Sequence, residues 1–119
     1  MILPSPEYNS GITVALKSAI DWVPRTSAAN KLHLAAFSGK TAAILAASPG
    51  GYGGSRGLAQ LRPFLENIGI SVIAEQVTLP KAHELIHADG SLIDSTLEST
   101  IRSLGATLVE VMKSKAKVA

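Results

Sequence analysis

The chain has 119 residues, 46% of them hydrophobic, enough apolar material for one core in one domain and too much for a disordered chain. Eleven basic against nine acidic side chains leave a charge of +2. The basic residues are scattered apart from Lys113, Lys115 and Lys117, and five aromatics give bases little to stack on, so no nucleic-acid partner is expected.

Cysteine is absent, which excludes disulfides, thiolate metal sites and cysteine nucleophiles. No apolar run approaches the roughly 20 residues of a membrane helix, so no membrane association is expected. Pro4, Pro6 and Glu7 stand where a signal peptide would carry a positive and then an apolar region, which points to the cytoplasm.

Met1-Ile2-Leu3 reads as the last stub of a strand, cut short by Pro4, which cannot donate to a ladder. Residues 5–11, SPEYNSG, form a loop rich in turn formers. Residues 12–22 follow as a helix with Ile12, Ala15, Leu16, Ala19 and Ile20 on one face, ended by Pro24. Residues 25–40 read as a connection with Leu32, Leu34 and Phe37 as its apolar points; His33 in it has no partner nearby and reads as a loop residue. Residues 41–47 are apolar throughout, as in a strand covered on both faces.

The loop SPGGYGG, residues 48–54, leads into a helix with Ser55 as its expected N-cap and with Leu58, Leu61, Leu65 and Ile68 at helical spacing. Pro63 interrupts that pattern, so the helix is expected to bend there or to start late. Gly69 ends it, and residues 70–74 give a second apolar strand, extendable through Val77 and Leu79. Pro80 opens a short helix over residues 81–87. The last helix spans about residues 94–113, with Leu97, Ile101, Leu104, Leu108, Val111 and Met112 on its apolar face and the lysine tail complementing its negative end.

Helices alternating with strands imply a parallel α/β sheet, whose ligands bind at the carboxyl ends of the strands. Loops 5–11 and 48–54 both follow strands and should share one edge. Gly50, Gly51, Gly53 and Gly54 carry no Cβ to keep a flat ligand or a phosphate from the backbone N–H groups. The dinucleotide fingerprint fails, because Arg56 or Tyr52 stands where glycine is required. The P-loop fails as well: Leu34 replaces its first glycine, and Gly39-Lys40-Thr41 precedes a strand instead of opening a helix.

SPEYN followed by ALKSAIDW, then SGK, an apolar strand, ASPGGYGGSRG and a helix containing LAQLRPFL, together with PKAHEL, resembles the NADPH-dependent FMN reductase family. The resemblance implies an α/β flavodoxin-like fold, a three-layer parallel sheet with helices on both faces. It also implies an oxidoreductase in which NADPH reduces FMN, and FMN passes electrons to a small-molecule acceptor: a quinone, a flavin, an azo dye or an oxidised metal ion. The flavin carries the chemistry, so no catalytic side chain and no metal is called for. By similarity, Pro6, Glu7, Tyr8 and Asn9 line one side of the isoalloxazine, while Ser48, Gly50, Gly51, Gly53 and Gly54 lie along its other edge with N–H groups toward the pyrimidine oxygens.

Members of the family begin with a strand, a phosphate-cradling loop, a helix and a second strand ahead of the segment that matches SPEYN. Residues 1–119 therefore read as the C-terminal part of one such domain: either a piece of a longer reductase, or a half-domain that completes its sheet with another copy. An open parallel edge favours association, and a homodimer or homotetramer is expected. The resemblance places the helix carrying Trp22 at a subunit contact, against core packing as the other reading. Glu7 is either a structural carboxylate or part of a polar relay beside the flavin, and Tyr8 equally suits a packed ring.

Two rival readings remain. His83-Glu84-Leu85-Ile86-His87 matches the zinc-hydrolase pattern H-E-x-x-H, but it fixes only three residues and lies inside the family-like PKAHEL segment. The other is a non-catalytic interaction module without cofactor.

Overall fold

The structure, a computed structural model, describes residues 1–23, 25 and 34–118; the expectations placed on Pro24, Leu32 and His33 lie outside them. In chain order the elements are β1 (Ile2–Pro4), β2 (Glu7–Tyr8), β3 (Gly11–Ile12), α1 (Val14–Trp22), β4 (Thr41–Ala47), α2 (Ser55–Asn67), β5 (Ser71–Leu79), α3 (Ala82–Leu85) and α4 (Ser95–Val118).

β1, β4 and β5 form one parallel sheet in that order, with the apolar run 41–47 as its central strand. Alternation along β4 divides the core. Ala42, Ile44 and Ala46 face Leu58, Leu61 and Leu65 of α2 and Ile20 of α1, while Ala43 faces Leu104 and Leu108 of α4 with Ile73, Val77 and Leu79 of β5. Helices therefore cover both faces, and the three layers of a flavodoxin-like fold are present.

β1 includes Pro4, and the sheet explains why proline is admitted there. Met1 O accepts from Ala43 N–H at 3.0 Å, and Ser5 N–H donates to Leu45 O at 2.9 Å. With a period of two, the nitrogen of Pro4 then faces away from β4, on the open side of an edge strand where no ladder donor is needed.

α2 is the best-anchored helix. Leu58, Leu61 and Leu65 are buried to 1% exposure or less, each contributing about 2 kcal/mol of burial. Its C-terminus closes as a Schellman motif: Gly69 has φ +85°, its N–H donates to Glu66 O, and Ile70 N–H donates to Leu65 O, with Leu65 and Ile70 meeting in the core. Pro63 lies inside the helix, which does not start late. Pro63 and Ala59, whose carbonyl loses its i+4 donor, are both exposed, so water satisfies that carbonyl.

α1 is anchored less firmly, with Ile20 its one buried residue. It starts at Val14, after Thr13, whose Oγ1 accepts Leu16 N–H at 3.2 Å; Ile12 belongs to β3 instead. Ala15 and Ala19 are exposed, so its buried face is narrower than the sequence pattern suggests. Trp22 is 76% exposed, which excludes the core reading for it.

β5 runs unbroken through Glu75 to Leu79, but its pairing slips. Ala42 pairs with Val72 and Ile44 with Gln76, so β5 carries two extra residues across that step. α4 extends to Val118, beyond the expected end, with Lys115 and Lys117 in its last turn; Met112 lies half-exposed at the rim of its apolar face.

Candidate functional site

Loops 5–11 and 48–54 meet at the carboxyl edge of the sheet, as their positions after β1 and β4 require. The first is more ordered than its composition implies. Glu7 pairs with Ile12 and Tyr8 with Gly11, closing a two-residue hairpin over Asn9 and Ser10, whose φ values of 51° and 66° make a type I′ turn. Asparagine tolerates that left-handed conformation well. Beneath the hairpin Ser5 is buried, its Oγ donating to Pro6 O at 3.2 Å.

Three contacts tie the hairpin to the start of α2. Glu7 Oε2 accepts Gly57 N–H at 2.9 Å, Arg56 donates to Ser10 Oγ at 2.8 Å, and Gln60 Nε2 donates to Ser10 O at 3.1 Å. Gly57 lies close under the hairpin: a Cβ there would be in contact with Glu7 Cβ and Gly11 O, both at 3.4 Å. The Arg56 guanidinium also lies 4.0 Å from the centre of the Tyr52 ring, so one side chain bridges both loops.

Ser55 is not the N-cap of α2. Gly54 holds that position at φ 86° without a side-chain cap, and Ser55 is the first helical residue. The physical reason is space: a Cβ at position 54 would collide with the Ala46 side chain, so no serine fits the cap position. Glu7 takes over the capping from a neighbouring strand.

The glycine loop is stitched to the segment after β5. Ser48 N–H donates to Leu79 O, Ala82 N–H to Ser48 O and Lys81 N–H to Gly50 O, all between 3.0 and 3.1 Å. Ser48 Oγ accepts Gly50 N–H at 3.2 Å, and Gly53 N–H donates to Gly50 O at 3.4 Å. The four glycines divide. Gly53 and Gly54 are buried and packed on backbone or core, whereas Gly50 and Gly51 are exposed, and a Cβ on Gly51 would meet nothing within 4 Å. Among the described residues the N–H groups of Gly51 and Tyr52 donate to no protein acceptor.

At the strand ends, beside loop 5–11, lies an open hollow of about 260 Å³ lined by Pro4, Ser5, Pro6, Leu45, Ala46, Ala47 and Leu79. Two roomier hollows lie elsewhere, one of about 500 Å³ between β5 and α4 and one of about 380 Å³ by Met1, Lys40, Thr41 and Lys115 at the opposite end of the sheet. The smaller one is preferred because it alone sits at strand carboxyl ends beside the two loops.

Of the nine residues singled out in the sequence, Pro6 lines the cavity directly. The other eight do not line it: Tyr8 and Asn9 stand exposed at the hairpin, Ser48 is half-buried and Gly50 and Gly51 exposed in the loop after β4, Glu7 turns to α2, and Gly53 and Gly54 are buried beneath the loop. Sequence reasoning missed Ala46 and Ala47, whose small side chains where β4 ends were the available signal, and Arg56, for which no local signal exists. An apolar hollow at the strand ends, with the unpaired N–H groups of Gly51 and Tyr52 in the adjoining loop, is a donor set of the kind that suits a flat heteroaromatic ring with polar edges.

The short helix after β5 departs from expectation. Pro80 lies in a turn, and α3 covers only Ala82–Leu85, because Lys81 before it is left-handed (φ 49°) and the chain turns extended after it. Ile86 is extended (φ −123°, ψ 124°) and bridges Leu92, so His87 has left the helix and does not share a face with His83. His83 Nε2 instead lies 3.6 Å from Glu84 Oε1, and the described residues contain no cluster of three metal-binding side chains. In the turn that follows, the Ser91 hydroxyl and N–H hold the Asp89 carboxyl below its usual range. That contact stabilises the turn above the ordinary carboxylate pKa and is lost as pH falls through the lowered one.

The family model described as NADPH-dependent FMN reductase matches residues 1–84. An NAD(P)H-dependent FMN reductase of Pseudomonas aeruginosa is 33% identical over 103 residues, covering 86% of this chain and 52% of that protein. The rice (Oryza sativa subsp. japonica) protein named "Probable NADPH:quinone oxidoreductase 2" is 32% identical over 106 residues, covering 87% and 48%. Among solved structures, the flavoenzyme NAD(P)H:(acceptor) oxidoreductase FerB of Paracoccus denitrificans superimposes with a TM-score of 0.67 at 30% identity, over 92% of this chain and 56% of that one. The chain spans about half the length of the curated relatives it matches. Among the described residues no helix is long and apolar enough to cross a membrane.

Proposed function

The chain belongs to the NADPH-dependent FMN reductase family, and on that premise we propose that it holds the isoalloxazine of FMN at the carboxyl edge of its sheet and serves as an NAD(P)H-dependent reductase. The observation that carries this reading is the juxtaposition of the hairpin, the glycine loop and an apolar hollow at one edge of the sheet. When bound, the flavin accepts a hydride from NADPH and delivers electrons to a small-molecule acceptor. Quinones are the acceptor class that the name of the rice relative supports. The cytoplasm, where NADPH is available, is the proposed compartment.

The chain's own residues bind, orient and exclude water. Pro6, Leu45 and Leu79 wall the ring with apolar surface, and Tyr8 and Asn9 flank it from the hairpin. The unpaired N–H groups of Gly51 and Tyr52 would be the donors for the ring's polar edge, where fixed donors favour developing negative charge. Ser48 holds the loop through Gly50, and the buried Gly53 and Gly54 seat it on the end of β5 and on Ala46 of β4.

FMN added to the protein should bind with a change in flavin absorbance and fluorescence, and the complex should oxidise NADPH. Gly51→Val should weaken FMN binding by about tenfold or more, because the new side chain fills space that the loop leaves open beside its unpaired N–H groups. Lys115→Ala, at the opposite end of the sheet where its Nζ lies 3.3 Å from Thr41 Oγ1, should leave binding unchanged. Equal effects would remove the glycine loop from the site, and no FMN affinity in the parent chain would favour the non-catalytic module.

Exposed apolar side chains at the two ends of α1, Val14 at 83% and Trp22 at 76% exposure, with Val23 of its C-cap at 52%, support a homodimer or homotetramer built through that helix. Trp22→Glu should shift the protein toward monomer in size-exclusion chromatography with light scattering. A parent chain that is already monomeric at micromolar concentration would overturn this assignment.

A further inference from the structure

Glu7 is placed to do more than hold a hairpin. Its carboxylate oxygen accepts the N–H of Gly57, the third residue of α2, at 2.9 Å. That N–H is one of the unpaired donors at a helix start, where aligned peptide dipoles amount to about half a positive charge. α2 begins directly after the glycine loop, so its positive end points at the edge where the ring of FMN is proposed to lie. Glu7 sets a full negative charge on that end. Arg56, the cation of the same turn, donates to Ser10 Oγ and lies over the exposed Tyr52 ring, bridging the two loops; it is common to the parent chain and to variants at Glu7.

A flavin ring gains negative charge when it is reduced, and a bare helix N-terminus would stabilise that charge. Resting on the FMN reading above, we propose that Glu7 is a tuning residue: its carboxylate, docked on the start of α2, offsets the helix field and weakens the hold on reduced FMN relative to oxidised FMN. The consequence is a bound flavin that gives up its electrons more readily to the acceptor. A neutral cap would keep the hairpin in place without this effect, so the two roles separate experimentally.

Glu7→Gln keeps an oxygen for the Gly57 N–H and removes the charge, while Glu7→Ala removes both. The dissociation constants of oxidised and of dithionite-reduced FMN are measured for the parent chain and the two variants, with the midpoint potential of the bound flavin and the urea midpoint. Glu7→Gln should raise the preference for reduced over oxidised FMN about tenfold, equivalent to about 30 mV for a two-electron couple, with its urea midpoint kept. Glu7→Ala should show the same redox shift together with a lower urea midpoint. Either variant that folds serves, since both remove the charge. An unchanged ratio in a variant that still binds FMN would overturn the tuning role and leave the FMN reading intact, whereas no FMN binding by the parent chain would overturn both.

Discussion

Gly53→Ala should lower the stability of the fold by about 3 kcal/mol, the sum of a left-handed backbone penalty and of overpacking. Gly53 has φ +59°, and a Cβ added there would stand 2.6 Å from Pro80 N and 2.8 Å from Leu79 C. Both are backbone atoms, so no rotamer change relieves the clash, and the loop must lift off the end of β5. Gly51→Ala provides the control. It meets nothing within 4 Å, and its effect should stay within about 0.5 kcal/mol. Urea denaturation followed by circular dichroism checks both; equal midpoints would show that the loop is not clamped against β5. Paired with Gly51→Val, the experiment separates a glycine required by packing from one with open space beside it.

Arg62→Ala should cost about 2 kcal/mol, the scale of removing charge-assisted hydrogen bonds from a partly buried group. Its guanidinium donates to Ile73 O at 3.0 Å, to Ala74 O at 3.4 Å and to Gln76 Oε1 at 3.1 Å, with Val72 O at the limit of 3.5 Å. These groups belong to the stretch where β5 carries two extra residues and its pairing with β4 lapses. Arg62 supplies the donors that the ladder there does not. Its ion pair with Glu66, at 3.9 Å and half exposed on the glutamate side, adds little by comparison. Arg62→Lys should recover less than half of the loss, since an ammonium cannot fork across several carbonyls. A parent-like urea midpoint for Arg62→Ala would show that water satisfies the bulge as well as the arginine does.

Much of the candidate site was legible because its signals are local. The apolar run 41–47, the glycines after it and the leucines at positions 58, 61 and 65 each report a backbone state within a few residues, and the alternation of strand and helix brings both loops to one edge. The hairpin in SPEYNSG was less visible: Asn-Ser is a weaker turn signal than Asn-Gly, and two-residue strands leave no alternation to read. The H-E-x-x-H match failed for a related reason, since a four-residue spacing means one helical face only while the helix continues, and here it ends at Leu85.

By itself the sequence determined the three-layer parallel architecture, the central strand, the two loops and the family, because these follow from apolar periodicity, glycine placement and motifs read over short spans. Only the tertiary structure decided what the special residues do. Glu7 became the cap of a helix that starts 48 residues later, Arg56 the bridge between the loops, Arg62 the partner of a bulge, and Gly53 and Gly54 supports instead of open rim. The physical reason is that hydrogen-bond partners and steric clearance at these positions come from segments distant in the chain, and no local propensity encodes which backbone will arrive opposite a given side chain.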